Sequence, residues 1–167
     1  MPDASFVYFA YGSNMSQRRL RHAERAPSAE LLGRARLSAH RLVFDKHGRD
    51  GSAKADCEPT GDAAHAVLGG LFVIDAQHRA ALDQVESGYT PTRVEVLAEG
   101  GPVHALTYVA GDRQAGLLPY VWYLRHVLEG ARELALPTGY LRLIEQIEAR
   151  EDQDIARAQR ELALYTG

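Results

Sequence analysis

Cysteine is almost missing from this chain: Cys57 is the only one in 167 residues. No internal disulfide can form, and a reducing, cytoplasmic setting is the simplest expectation. No apolar run is long enough to span a bilayer, and Met1-Pro2-Asp3-Ala4 does not begin like a secretory leader. Massed positive charge is absent as well. The 19 basic residues are interleaved with 22 acids for a net charge of -3, which excludes an electrostatic footprint for nucleic acid or an anionic membrane. The histidines (His22, His40, His47, His65, His78, His104 and His126) show neither His-x-His nor His-Glu-x-x-His, so no metal site is expected. Gly69-Gly70 and Gly100-Gly101 fit no nucleotide-binding fingerprint. Internal repeats and low-complexity segments are lacking too.

What is present reads as one domain. The length suits a single core, and 46% apolar with 25% charged residues is ordinary for a globular chain. The most informative stretch is Phe6-Val7-Tyr8-Phe9-Ala10-Tyr11-Gly12-Ser13-Asn14-Met15-Ser16. Its apolar and aromatic run predicts a buried strand to Tyr11. Gly12-Ser13-Asn14 predicts a turn, and Gln17 to His22 a helix. Such a joint leaves backbone N–H groups unpartnered and able to meet an anion or a developing oxyanion. By itself the signal is weak, because many strand–turn–helix joints bind nothing.

Downstream, Gly33 to Phe44 predicts one strand whose apolar phase slips near His40-Arg41, as at a bulge. Residues 45–64 are polar and broken by Gly48, Gly51, Gly61 and Pro59, with a short strand around Ala53 and Ala55. Ala66 to Ile74 is a continuous apolar run, as in a strand buried on both faces, with close backbone contact or a bend at Gly69-Gly70. Asp75 is placed to cap a helix from Ala76 to Glu86. Arg93–Ala98 and Val103–Val109 predict a hairpin through Glu99-Gly100-Gly101-Pro102. Pro119 to Ala135 predicts a long helix burying Val121, Leu124, Leu128, Ala131 and Ala135. Thr138 is placed to cap a further helix to Ala149, with Tyr140, Ile144 and Ile147 inward. Residues 150–167 read as a helix over the domain formed by 1–149, or a partner-facing tail, with Ile155 and Leu162 as anchors. Strands come mostly first and long helices last, which predicts an α+β fold around a small bent mixed sheet or barrel.

A second stretch, Leu82-Asp83-Gln84-Val85-Glu86, ends in an acid at a helix C-terminus. The helix dipole disfavours a carboxylate there, and Asp83 one turn earlier would repel it. Both effects would raise the pKa of Glu86 and make it a better base. Two solvated surface acids would give the same pattern. Ser13 lacks a nucleophile frame and a histidine placed to activate it. Cys57, between Asp56 and Glu58, should be inert because flanking acids raise a thiol's pKa. Trp122 and Tyr123 read as core or interface.

Taken in order, several words resemble the gamma-glutamylcyclotransferase family: Tyr8 to Met15, Arg25-Ala26-Pro27-Ser28-Ala29, Leu82 to Glu86, Thr107-Tyr108, Pro119-Tyr120, and Gly130 to Tyr140. The resemblance implies a small barrel flanked by helices and a small-molecule L-gamma-glutamyl substrate. It further implies a lactam-forming reaction that releases 5-oxoproline, with no metal or organic cofactor. By the same resemblance Glu86 is the general acid and base. The Tyr8, Phe9, Ala10, Tyr11, Gly12, Ser13 and Asn14 segment binds the glutamyl group, and Tyr108 and Tyr120 lie on the substrate side. Ser87 stands where the family carries glycine, and a short link to Tyr89 would shift that side chain out of the site. The leaving group stays open, as does the choice between a monomer and a homodimer. Removal of a gamma-glutamyl cap from a larger metabolite, or binding without turnover, are the rival readings.

Overall fold

Ser5–Ala10 forms β1, flanked on both edges, with Tyr8, Phe9 and Ala10 buried and Phe6 and Val7 half-buried. The computed structural model describes residues 4–166; Met1-Pro2-Asp3 and Gly167 lie outside them. The other barrel strands are β2 (Glu30–Ser38), β5 (Ala66–Asp75), β6 (Tyr89–Ala98) and β7 (Gly101–Ala110). They close in the order β1-β5-β2-β6-β7, antiparallel throughout except for the parallel contact of Tyr8 with Leu106 that joins β7 to β1. The fold is α+β, a small barrel carrying five α-helices.

Strand β5 lies between β1 and β2, which accounts for its unbroken apolar sequence. Gly69 permits the close approach to β1: a Cβ there would stand 2.2 Å from the carbonyl oxygen of Ala10. In β2, Ala35 and Leu37 face inward while Arg34 and Arg36 face out. The chain then departs from the single strand expected over 33–44. Ala39 adopts a positive φ of 62°, its amide bonds to the carbonyl of His65, and the chain leaves the barrel. It continues as β3 (His40–His47), which pairs with β4 (Ala53–Pro59) in a separate two-stranded sheet. The phase slip in the sequence is thus a change of sheet, not a bulge within one strand. The bulge lies later, between Phe44 and Lys46. The hairpin β6–β7 is longer than expected, running from Tyr89 opposite Ala110 to Ala98 opposite Gly101 around a two-residue turn, with Gly101 at φ 122°.

Helix α1 is only Gln17–Leu20, capped by the Ser16 hydroxyl. The helix expected from Ala76 begins as a 3-10 turn, Ala76–His78, and becomes α2 over Arg79–Val85, leaving Glu86 as its C-cap. The Asp75 side chain makes no capping bond; its Oδ2 accepts from the Gln77 side chain at 3.4 Å, while the Asp75 amide donates to the Ser28 hydroxyl and that of Ala76 to the Ala4 carbonyl. Helix α3 (Val121–Glu133) buries Trp122, Tyr123, His126, Val127, Gly130 and Ala131. Val121 and Ala135, expected inside, are exposed; Ala135 at φ 52° terminates the helix. Helix α4 (Thr138–Glu145) starts after Pro137, so Thr138 is its first residue and not its cap. Helix α5 (Ile155–Leu162) is capped by Asp154. Ile155 is 68% exposed and anchors nothing, whereas Leu162 packs against the core.

Candidate active site

Strand β1 ends at the 3-10 turn Ser13–Met15, which lies under α3. The contact is tight because Gly130 has no side chain: a Cβ there would stand 2.4 Å from the carbonyl carbon of Met15 and 2.5 Å from the Ser16 nitrogen. The turn is also held from the far end of the chain. Tyr165 donates to the Ser16 hydroxyl at 2.8 Å, and Arg19 bonds both the Ser13 hydroxyl (3.1 Å) and Glu161 (2.7 Å). Within the turn the Met15 and Ser16 amides bond to the carbonyls of Gly12 and Ser13. The amides of Gly12, Ser13 and Asn14 find no acceptor among the described residues.

Beside this turn is a hollow walled by Tyr8, Tyr11, Gly12, Ser13, Asn14, Ala55, Glu86, Tyr89, Tyr108 and Tyr123. Asn14 spans it. Its Nδ2 donates to Glu86 Oε1 at 2.7 Å and to the Tyr8 hydroxyl at 3.1 Å, while its Oδ1 accepts from Arg25 Nη1 at 3.1 Å. The partners fix the amide orientation: a guanidinium can only donate and an ionised carboxylate can only accept. Arg25 also stands 3.7 Å from Glu86 Oε1, with both side chains mostly buried. Burial, with the neighbouring Arg19 charge adding, lowers the Arg25 pKa, and the Glu86 carboxylate opposes that shift. Asp83, expected to crowd Glu86, is turned away. It accepts from Arg79 Nε at 2.9 Å and from the Tyr108 hydroxyl at 2.6 Å.

The tyrosines differ in what their hydroxyls can still do. Tyr11 donates to the Tyr108 carbonyl at 2.6 Å, and Tyr89 to the Ala55 carbonyl at 2.7 Å. Tyr123 accepts from the Ala55 amide at 2.9 Å. Tyr8 accepts from Asn14, and its own proton is not taken by any described residue. Burial, reinforced by the Glu86 charge, holds the Tyr8 hydroxyl far above the usual phenol range, so it stays protonated. Burial and the Asp83 hydrogen bond do the same for Tyr108. Tyr8 and Tyr108 meet edge to face, 5.8 Å between ring centres.

Not every residue of the expected segment reaches the hollow. Phe9 is fully buried in the core with its carbonyl bonded to the Thr107 hydroxyl, and Ala10 is buried where β1 meets Gly69. Tyr120 is absent from the wall. It caps α3, lies against Trp122, and donates to the Asp50 carbonyl at 3.2 Å. One helical turn on, Tyr123 occupies the wall instead. Tyr89 remains in the wall despite its short link to Glu86, because Gly88 at φ 95° turns the chain immediately after the cap. The sequence marks neither Arg25 nor Tyr123 as a site residue. Arg25 lies in a matched word without an assigned role, and Tyr123 reads as core or interface. Cys57 is buried, and desolvation together with Asp56 pushes its thiol to about 11. No cluster of three potential metal ligands occurs among the described residues.

Comparison with known proteins gives a consistent picture. The AIG2-like family matches residues 66–144. The chain is 31% identical over 158 residues to a gamma-glutamylcyclotransferase of Bos taurus, covering 88% of this chain and 81% of that protein. Among solved structures it resembles a gamma-glutamyl cyclotransferase at 26% identity, with a TM-score of 0.77 over 94% of this chain and 99% of the other. An uncharacterized protein from Homo sapiens is similar at 25% identity, TM-score 0.77, covering 95% and 99%.

Proposed function

Because the chain belongs to the gamma-glutamylcyclotransferase family, we propose that it converts an L-gamma-glutamyl amino acid or amine to 5-oxoproline and the free amine, with Glu86 as general acid and base. The observation that carries this reading is the 2.7 Å contact of Glu86 with Asn14 in a hollow also lined by Gly12 and Ser13, whose amides, like that of Asn14, find no acceptor among the described residues.

The chemistry follows from those groups. An alpha-amine with a pKa of about 8 is mostly protonated at neutral pH and is then no nucleophile. Once neutral, its nitrogen attacks the gamma-carbonyl carbon and the new C–N bond closes a five-membered ring. The surplus N–H proton passes to Glu86. The original C–N bond then breaks, and the departing nitrogen takes the proton back from Glu86, so the carboxylate ends as it began. Negative charge on the carbonyl oxygen, or the substrate's alpha-carboxylate, is met by the unpartnered amides of the turn. Tyr8 supplies a neutral hydroxyl donor in the same wall. Since nucleophile and electrophile belong to one molecule, the enzyme's main task is to hold a folded substrate, and orientation of this kind can be worth roughly 7–11 kcal/mol at best.

Asn14 and Arg25 support Glu86 in this scheme. Asn14 holds the carboxylate in place through one oxygen. Arg25 holds Asn14 and supplies a positive charge nearby. Release of 5-oxoproline from a panel of gamma-glutamyl amino acids and amines tests the reading. Product that disappears in Glu86→Gln supports it, and no product from any substrate rejects it.

A further inference from the structure

Next to the tyrosine-walled hollow lies a second, wider one, and Glu86 stands in the wall of both, together with Ser13, Tyr89 and Tyr123. Six cationic side chains and two carboxylates line it. Most of that charge is already matched. Arg19 pairs with Glu161 at 2.7 Å, Lys54 with Asp50 at 2.7 Å, Arg157 with Asp152 at 2.5 Å, and Arg25 lies 3.7 Å from Glu86.

Lys46 is different. The residue is only 5% exposed, and among the described residues its ammonium makes no side-chain hydrogen bond and no ion pair. Its ammonium sits over the Tyr89 ring, 4.9 Å from the centroid. It also lies where a Cβ on Gly88 would be 2.6 Å from its Nζ, so the bare backbone beside Glu86 is what makes room for it. The ammonium itself is not sealed from solvent, so a carboxylate entering the second hollow would find its donors without a protein acceptor. Arg49, exposed at the rim, likewise has no acidic partner among the described residues.

We propose that Lys46 determines specificity for the leaving group by binding a carboxylate on the departing amine, in the second hollow. The inference rests on the reaction proposed above. A general acid must touch the nitrogen it protonates, so with the glutamyl part in the tyrosine-walled hollow the departing part lies in the other space that Glu86 borders. A leaving amino acid places its carboxylate one carbon from that nitrogen, within the space that Lys46 faces. A neutral or cationic amine leaves Lys46 unpartnered.

The test compares gamma-glutamylalanine with gamma-glutamylethylamide, whose leaving groups differ only by the carboxylate, with 5-oxoproline as the product measured. The intact protein should favour the alanine compound by about tenfold or more in kcat/KM, mostly through KM, the effect of one charge-assisted contact. In Lys46→Met the ratio should fall to near one, and in Lys46→Arg much of it should return. Equal use of both substrates by the intact protein, or an unchanged ratio in Lys46→Met, would overturn the proposal while leaving the reaction itself in place. A Lys46→Met loss shared equally by both substrates would put the lysine on the glutamyl side and overturn it as well. If neither substrate yields 5-oxoproline, the reaction falls and the proposal falls with it.

Discussion

Replacing Glu86 by Gln keeps the side chain's length and shape, removes its charge and basicity, and turns one acceptor oxygen into an NH2 donor. The structure indicates what survives. The amide oxygen of the new residue can still accept from Asn14 Nδ2, which now stands 2.7 Å from Glu86 Oε1. Asn14 Oδ1 still accepts from Arg25, so the guanidinium keeps one partner while losing a carboxylate 3.7 Å away. The stability cost should therefore be small, about 1–2 kcal/mol, well below the cost of stranding a buried charge outright. The rate should behave differently. One positioned acid or base typically contributes 10²- to 10⁴-fold, and Glu86 serves both proton transfers, so kcat should fall by about 10³-fold or more, equivalent to roughly 4 kcal/mol of barrier. KM should move by less than about threefold, since the shape of the hollow is retained. The assay is steady-state release of 5-oxoproline, with thermal unfolding as the control for the fold. A kcat within tenfold of the unaltered protein would refute Glu86 as the proton carrier.

Asn14→Asp would set a second carboxylate against Glu86, and like charges raise carboxylate pKa values, so the acid limb of the kcat/KM–pH profile should move to higher pH; an unmoved limb would refute the contact's importance. Gly130→Ala would force a Cβ to within 2.4 Å of Met15 backbone, which must shift the turn; we expect about 2–4 kcal/mol of destabilisation with reduced kcat/KM, read by chemical denaturation and kinetics. Stability should also fall on acidification. Burial lowers His126 from 6.5 to about 4, so the unfolded chain binds its proton first and stability declines as pH drops from about 6.5 toward 4. Despite opposing burial, the His126 ring 3.6 Å away and the Arg19 charge hold Glu161 down at about 2, so its contribution is present above 4.5 and is lost as pH falls from there toward 2. His126→Gln should flatten the upper part of that decline in melting temperature measured against pH.

Some of this protein is written locally in its sequence. The opening strand and turn, the apolar β5 run, the inward phase of Ala35 and Leu37, and an acid closing a helix all follow from short-range preferences and periodicity. Residues 45–64 were only partly legible: the short strand around Ala53 and Ala55 is present as β4, but its extent is set by pairing, since Ala53, Ala55 and Cys57 are buried only once β3 leaves the barrel at Ala39 and lies beside them. Tertiary structure decided which further residues complete the site. Tyr120 and Tyr123 are near neighbours of one helix, and only the way α3 lies on the Ser13–Met15 turn sends the second to the hollow and the first to the Asp50 loop. Asn14 meets Glu86 although they are 72 positions apart, and the two join a closed set with Arg25 and Tyr8 that no sequence spacing encodes. Local patterns depend on backbone preferences and solvent exposure one residue at a time. The charge and hydrogen-bond partners of Glu86 depend on which distant surfaces the closing barrel brings within about 3 Å, a distance set by long-range contacts.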